Sequence, residues 1–247
     1  MSIERLDKEG RRYYVVSEGE KEIGVFPSVT TILGETSDKT ALEDWVERVG
    51  KEEADRISTL SMNRGTVMHR LIELYKLLKG SHKERLTELK EISLNDNEIV
   101  VFEKEFIDEG WKMFSKFYLN PHSSFDRIEE VLESETFLWS KLGYAGTVDN
   151  VSRIKDGRIL VIDYKNSRKA KKEEWIEDYY LQLSAYYVAY WQRKRVKANG
   201  AEIWIANEED NNPQIFELSE KEIQFYFSKF RERLSQYNSK FKKEQKY

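Results

Sequence analysis

Two aspartates and a lysine fall close together in the stretch Gly143-Tyr-Ala-Gly-Thr-Val-Asp149 followed by Leu160-Val-Ile-Asp-Tyr-Lys165. If both segments are β-strands, successive side chains alternate between faces, so Asp163 and Lys165 point one way and Tyr164 the other. The intervening Lys155-Asp156-Gly157 suits a three-residue hairpin loop with Gly in the left-handed position. That loop pairs Ile154 with Arg158 and, counting back, Asp149 with Asp163. Directly opposed residues share a face, so both carboxylates and the lysine converge on one spot. A two-residue loop would set Asp149 opposite Tyr164 instead, on the wrong face. The chemistry therefore requires the longer loop.

Opposed like charges destabilise a strand pair unless one is protonated or a cation lies between them. Two carboxylates with a backbone carbonyl, here that of Tyr164, make a hard oxygen site suited to Mg²⁺ or Mn²⁺. A lysine two residues along can hold a water or stabilise charge building on a phosphate. The same residues can also be read as a surface hairpin whose charges pair, Lys165 with either acid. The apolar run Ile159-Leu-Val-Ile162 that leads into Asp163 argues against a solvated strand.

Gly146-Thr-Val-Asp149, Asp163-Tyr-Lys165, and Gln182 with Tyr186 on a following helix resemble the PD-(D/E)XK nuclease superfamily. The nearest branch is the RecB/Cas4-like one, which adds a histidine from an upstream helix, here His69 in Arg64-Gly-Thr-Val-Met-His69. Pro27-Ser-Val-Thr-Thr-Ile-Leu33, with Leu42-Glu-Asp-Trp45, is similar to the mitochondrial genome maintenance exonuclease group and its phage relatives. The resemblance covers residues 24 to 190. It implies an α/β fold, a mixed central β-sheet flanked by helices, with a helical N-terminal lid or arch through which a single strand passes. It also implies a metal-dependent DNA exonuclease acting on free single-stranded ends in replication, repair or recombination. His69, Asp149, Asp163 and the Tyr164 carbonyl would hold the metal, and Asp149, Asp163, Lys165 and Gln182 would form the catalytic set. The motif has Asp-x-Lys where many members have Glu-x-Lys, which shortens the reach to the metal.

Composition sets the frame. The chain has 247 residues, 39% hydrophobic and 35% charged, and no cysteine, which excludes disulfides, zinc-thiolate and iron–sulfur sites. A net charge of −4 argues against a protein that coats nucleic acid indiscriminately. It does not argue against a nuclease, whose acidic site attracts phosphate once metal is bound. No apolar run is long enough to span a membrane, and the N-terminus lacks the look of a signal or transit peptide. The expectation is a cytoplasmic protein of a bacterial or phage-infected cell, with DNA as partner and no membrane; protein partners are not legible.

The elements that must position the site follow in order. Residues 11–17 and 21–33 read as short strands, and Ser28, Thr30 and Thr31 after Pro27 either end an edge strand or sit near a helix start able to hold a phosphate. Thr40-Ala-Leu-Glu43 has the form of a capping box opening a helix to about Leu60, with a buried stripe of Leu42, Trp45, Val46, Val49 and Ile57 and a weak point at Gly50. A second helix carries Arg64, Thr66, His69 and Glu73 on adjoining turns. Arg64 can reach a phosphate or pair with an acid. A lone helical histidine is commonly a core or surface residue, and only the resemblance makes His69 a ligand.

Residues 79 to 97 read as a polar, mobile connector with His82 exposed, and an amphipathic helix from Asn97 to Leu119 ends at Asn120-Pro121. Ile128–Trp139 begins the catalytic sheet, with Glu135 able to lean toward the metal or to sit on a solvated face. The loop after Lys165 offers Ser167, Arg168 and Lys169 to phosphates, and the helix to Arg193 presents Gln182 and Tyr186 on one face. Strands at 200–206 and 214–218 and a capped helix from Ser219 complete the chain. The organisation expected is one nuclease domain over 1–247: strands and helical lid over 1–125, core sheet and helix over 126–218, C-terminal helix and tail over 219–247. A structure-dependent endonuclease and a non-cleaving nucleic-acid-binding module are the alternatives.

Overall fold

The hairpin at Gly157 sets the register of the central sheet. In the computed structural model, which describes residues 2–118 and 124–241, Gly157 has φ +88° and the Ile154 N–H donates to the Arg158 carbonyl at 2.9 Å. The flanking strands are β5 (Tyr144–Ile154) and β6 (Ile159–Ser167), antiparallel with Asn150 opposite Ile162 and Arg153 opposite Ile159. This is the register of the three-residue loop, and continuing it places Asp149 against Asp163. The ladder stops at Asn150, so the two strands part where the acids begin.

Around them the sheet runs in the order β4-β5-β6-β7-β8, with β4 at Ile128–Ser140, β7 at Gly200–Asn207 and β8 at Gln214–Leu218. Only β6 and β7 are parallel, joined by the crossover helix α6 (Glu177–Lys194). A separate three-stranded meander precedes it: β1 (Ser2–Lys8), β2 (Arg11–Glu18) and β3 (Lys21–Pro27).

Both faces of the five-stranded sheet are covered, as a parallel pair at its centre demands. On one face Val151, Val161, Ile203 and Ile205 pack against α6, α1 (Val29–Thr36) and α7 (Glu220–Phe241). On the other, Leu160, Ile162, Tyr164 and Trp204 pack against α3 (Lys51–Leu77) and α5 (Lys104–Tyr118). Strand alternation therefore sends Tyr164 into an aromatic core with Phe117, Phe125 and Trp204, while Asp163 and Lys165 face α6.

Several expectations need correction. Residues 29–33 are helical, because Ser28 caps α1 by accepting from the Thr31 N–H at 2.9 Å. The Thr40–Glu43 box does not form; Thr40 instead donates through N–H and hydroxyl to Asp38. The short helix α2 (Thr40–Val49) stops at Gly50, φ +86°. It buries none of its residues, and Leu42 is 55% exposed, so the stripe drawn through it is not a core stripe. From Lys51 the chain continues as one 27-residue helix through Arg64 and His69 rather than two.

The polar connector is also a helix, α4 (His82–Ser93), held by a true capping box between Ser81 and Glu84 and by the buried Leu89. His82 is not free in solvent: its ring packs against Tyr75 and Tyr118. The expected stop at Asn120-Pro121 and the tail beyond Phe241 lie outside the described residues. Among the described residues no helix is long and apolar enough to cross a membrane.

Candidate metal and active site

The gap where β5 and β6 separate is filled by side-chain chemistry. In place of a ladder bond, the Tyr164 N–H donates to Asp149 Oδ2 at 2.8 Å. This fixes the Asp149 carboxylate, which remains slightly open to solvent. Asp163 is fully buried. Gln182 Nε2 donates to its Oδ1 at 2.9 Å, and the Lys165 ammonium lies 2.6 Å from its Oδ2.

Burial pushes the Asp163 carboxyl up to about 6; Lys165 pulls it down and Asp149 adds to the rise. Burial opposes the charge on Lys165 too, yet Asp163 and Asp149 outweigh it and hold its pKa above the ordinary lysine value. A buried acid beside a half-buried ammonium is costly unless both are hydrogen-bonded.

Helix α3 brings the third component. His69 Nδ1 lies 3.7 Å from Asp149 Oδ2 and 3.8 Å from Glu135 Oε1. One donor atom from each of His69, Glu135 and Asp149 fits within 4.8 Å of the others, a group that could hold a metal ion. Burial opposes protonation of His69, but the two carboxylates prevail and raise its pKa. Glu135 reaches the group from β4 with φ +45°, a left-handed conformation uncommon for a residue with a side chain. The β4–β5 pairing slips on its N-terminal side, between Val131 and Glu133. Strain of this kind collects at functional sites.

The residues singled out by sequence divide into two sets. His69, Asp149, Asp163, Lys165, Gln182 and the Tyr164 backbone come together. Tyr186 lies beside them, buried, its ring against Gly146: a Cβ there would come within 2.7 Å of it. Burial, then Asp163 and Asp149, raises its phenol far above the usual range. Thr66 is exposed one turn before His69, its hydroxyl donating to the Met62 carbonyl at 3.1 Å.

Arg64 does not face solvent. It is buried, donating to Asn166 Oδ1 at 2.7 Å and to Glu208, and so ties α3 to the ends of β6 and β7. Gly65 permits that approach, since a Cβ would come 2.5 Å from Asn166 Nδ2. Ser167 is buried and donates to the Lys169 carbonyl at 2.7 Å, which shapes the loop that leaves Arg168 and Lys169 exposed.

Of the two readings open for Glu135, the one leaning toward the metal group is the one the structure takes. Two further residues escaped sequence reasoning. Lys76 stands seven residues, two helical turns, after His69, a spacing that marks a shared face. It is buried and donates to the Asp149 carbonyl at 3.0 Å, with its pKa brought down to about 8 by burial against the pull of Glu135 and Asp149. Tyr179, one turn before Gln182, has its ring 5.4 Å from the Lys165 ammonium.

A family model described as the PD-(D/E)XK nuclease superfamily matches residues 43–245. Among solved structures, one similar chain is a Eubacterium rectale protein to which an exonuclease role is ascribed, with TM-score 0.45 and 10% identity over 70% of this chain. This chain spans 65% of the length of that one. Another is the protein SSO0001, with TM-score 0.31 and 14% identity, covering 67% of this chain and 70% of its own. A comparison with curated proteins finds no match.

Proposed function

The chain belongs to the PD-(D/E)XK nuclease superfamily, and from that premise we propose that it is a divalent-metal-dependent DNA exonuclease that digests single strands from free ends. The observation that supports this most is the meeting of the His69, Glu135 and Asp149 donors beside the ion pair of buried Asp163 with Lys165.

An imidazole with carboxylates fits a divalent cation, and the imidazole favours Mn²⁺ over the harder Mg²⁺. His69, Glu135 and Asp149 would hold the ion, with Asp163 and the Tyr164 carbonyl adjoining. A bound ion supplies polarisation of the scissile phosphate and a lowered pKa for the attacking water. Lys165, anchored by Asp163, places its ammonium where it can hold that water or meet charge developing on the phosphate. Gln182 holds the Asp163 carboxylate that anchors the ammonium, the Tyr179 ring flanks the ammonium, and the Tyr164 N–H and Lys76 fix Asp149 from its carboxylate and carbonyl ends. Arg168, Lys169 and Thr66 are the side chains available to contact the strand's phosphates. Arg64, Ser167 and Tyr186 act in this reading through the residues they hold.

The test uses 5′- and 3′-labelled linear single-stranded DNA beside a circular single strand, in Mg²⁺, Mn²⁺ or EDTA, with Lys165→Ala as control. Cleavage of the linear DNA alone, abolished by EDTA and by the substitution, is the expected result. Cutting of the circle would mean an endonuclease. Activity of Lys165→Ala within a few-fold of the parent would remove the mechanism.

A further inference from the structure

Between the N-terminal meander and α1 lies an open cavity of about 360 Å³, lined by Arg5, Asp7, Arg11 and Arg12 on the strands and by Thr30 and Thr31 on the helix. Its charges are matched in pairs except one. Arg5 lies 2.8 Å from Asp7, Arg11 is paired with Glu9, and Glu35 at the rim is 3.4 Å from Lys240. Arg12 has no carboxylate partner among the described residues, and its Nε is buried without a hydrogen bond. An enclosed guanidinium donor with no acceptor is a cost that calls for a ligand.

The position of Arg12 is fixed from two sides. Its N–H donates to Thr31 Oγ1 at 3.0 Å, and its carbonyl accepts from the Ser28 N–H at 2.9 Å. Ser28 in turn bridges to Ala145 on β5, beside the Gly146 that supports Tyr186. Arg12 is thereby linked through Ser28 and Ala145 to the strand that carries Asp149, and its charge acts on the Tyr186 hydroxyl, opposing burial, Asp163 and Asp149.

We propose that this cavity is a phosphate subsite, in which the Arg12 guanidinium and the Thr30 hydroxyl receive a phosphate of the nucleic-acid strand whose scissile bond lies at the acids. The inference rests on the nuclease reading and adds to it a second point of hold on the strand. Guanidinium is the side chain whose paired donors match two phosphate oxygens, and the unmatched charge lets a phosphate enter without displacing an internal ion pair. The phosphate is either the 5′-terminal monoester or a diester within the strand, and the two are separable by experiment.

Affinity is read by fluorescence anisotropy in Mn²⁺, in the cleavage-impaired Lys165→Ala protein, for oligothymidylates bearing a 5′-phosphate or a 5′-hydroxyl. Arg12→Met, which keeps the aliphatic stem, should weaken binding about tenfold. Loss confined to the 5′-phosphorylated strand identifies the terminal monoester; equal loss on both identifies an internal diester. Arg12→Lys, which keeps charge but not the paired donors, should lose affinity less, and Thr30→Val should lose it a few-fold. Affinities within about twofold of the parent for all three variants would overturn the subsite. If Arg12→Met melts out, Arg12→Lys and Thr30→Val decide the matter by the same criterion. Because binding is read without turnover, a parent chain that cuts nothing yet binds through Arg12 would sink the nuclease reading and keep the subsite. A parent that cuts normally with Arg12-independent binding would do the reverse.

Discussion

Asp163 bears the greatest electrostatic cost in the site. Its folded pKa of about 6 lies above the unfolded value of 3.8, so between them the folded chain holds the proton more firmly. The stability that the neutral acid contributes is complete below about pH 4 and lost as pH rises through about 6. The shift corresponds to on the order of 3 kcal/mol. In EDTA, Asp163→Asn should flatten the fall in melting temperature across that window, measured against the parent chain. An unchanged slope would mean that the carboxyl is not perturbed. His69 adds to the same trend at higher pH, since its raised pKa favours the folded state below the unfolded value of 6.5. A bound divalent cation reverses the preference by favouring ionised acids and neutral imidazole. Glu135→Gln keeps the side chain's shape and removes one charge from the trio, so Mn²⁺ affinity should drop at least about tenfold. Titration calorimetry would show it. Undiminished affinity would exclude Glu135 as a ligand and leave its positive φ without a role.

The elements decide which of these residues could be found in the sequence. The β5–β6 register followed from one loop, because Gly157 fixes the turn and strand alternation does the rest, so Asp149, Asp163 and Lys165 could be placed together without coordinates. Helical spacing put Gln182 and Tyr186 on one face, and only the resemblance to the nuclease motif tied that face to the acids. Glu135 could not be placed, because its direction depends on irregularities in β4 that no side-chain pattern announces. Lys76 and Tyr179 are ordinary members of helical faces until a neighbouring element shows what they touch. The buried state of Arg64 depends on Asn166 and Glu208, more than a hundred residues away in sequence. Close approach of elements is equally concealed. Gly110 on α5 sits against α3, where a Cβ would come 2.4 Å from Val67 Cγ1 and 3.3 Å from the Arg64 carbonyl. Gly110→Ala should therefore destabilise the fold by about 1–3 kcal/mol in chemical denaturation. Because α3 carries His69 and Lys76, the change should also weaken Mn²⁺ binding although residue 110 touches no proposed ligand. Lost stability with unaltered metal affinity would show that α3 tolerates displacement without moving its imidazole.

For the whole molecule, the net charge of −4 and the carboxylates of Glu135, Asp149 and Asp163, only partly offset by Lys165 and Lys76, set an acidic field at the point where the proposed function requires a phosphate to arrive. Against it stand the exposed Arg168 and Lys169 on one side of the gap and Arg12 beyond Tyr186. On the proposed function these are few exposed cations with which to hold a polyanion, so metal would become part of the binding surface as well as of the chemistry. The Lys165→Ala protein should therefore bind single-stranded oligonucleotides weakly in EDTA and at least about tenfold more tightly in saturating Mn²⁺. With only a handful of phosphate contacts, the decline of affinity with salt should be shallow, a log–log slope of about −2 to −3. A steep slope that persists without metal would place the main hold on a basic surface elsewhere, and the acids would then act only once the strand is already bound. Metal-dependent, weakly salt-sensitive binding would instead tie recognition to the reacting phosphate itself, as expected of an enzyme that engages a strand without reading its bases.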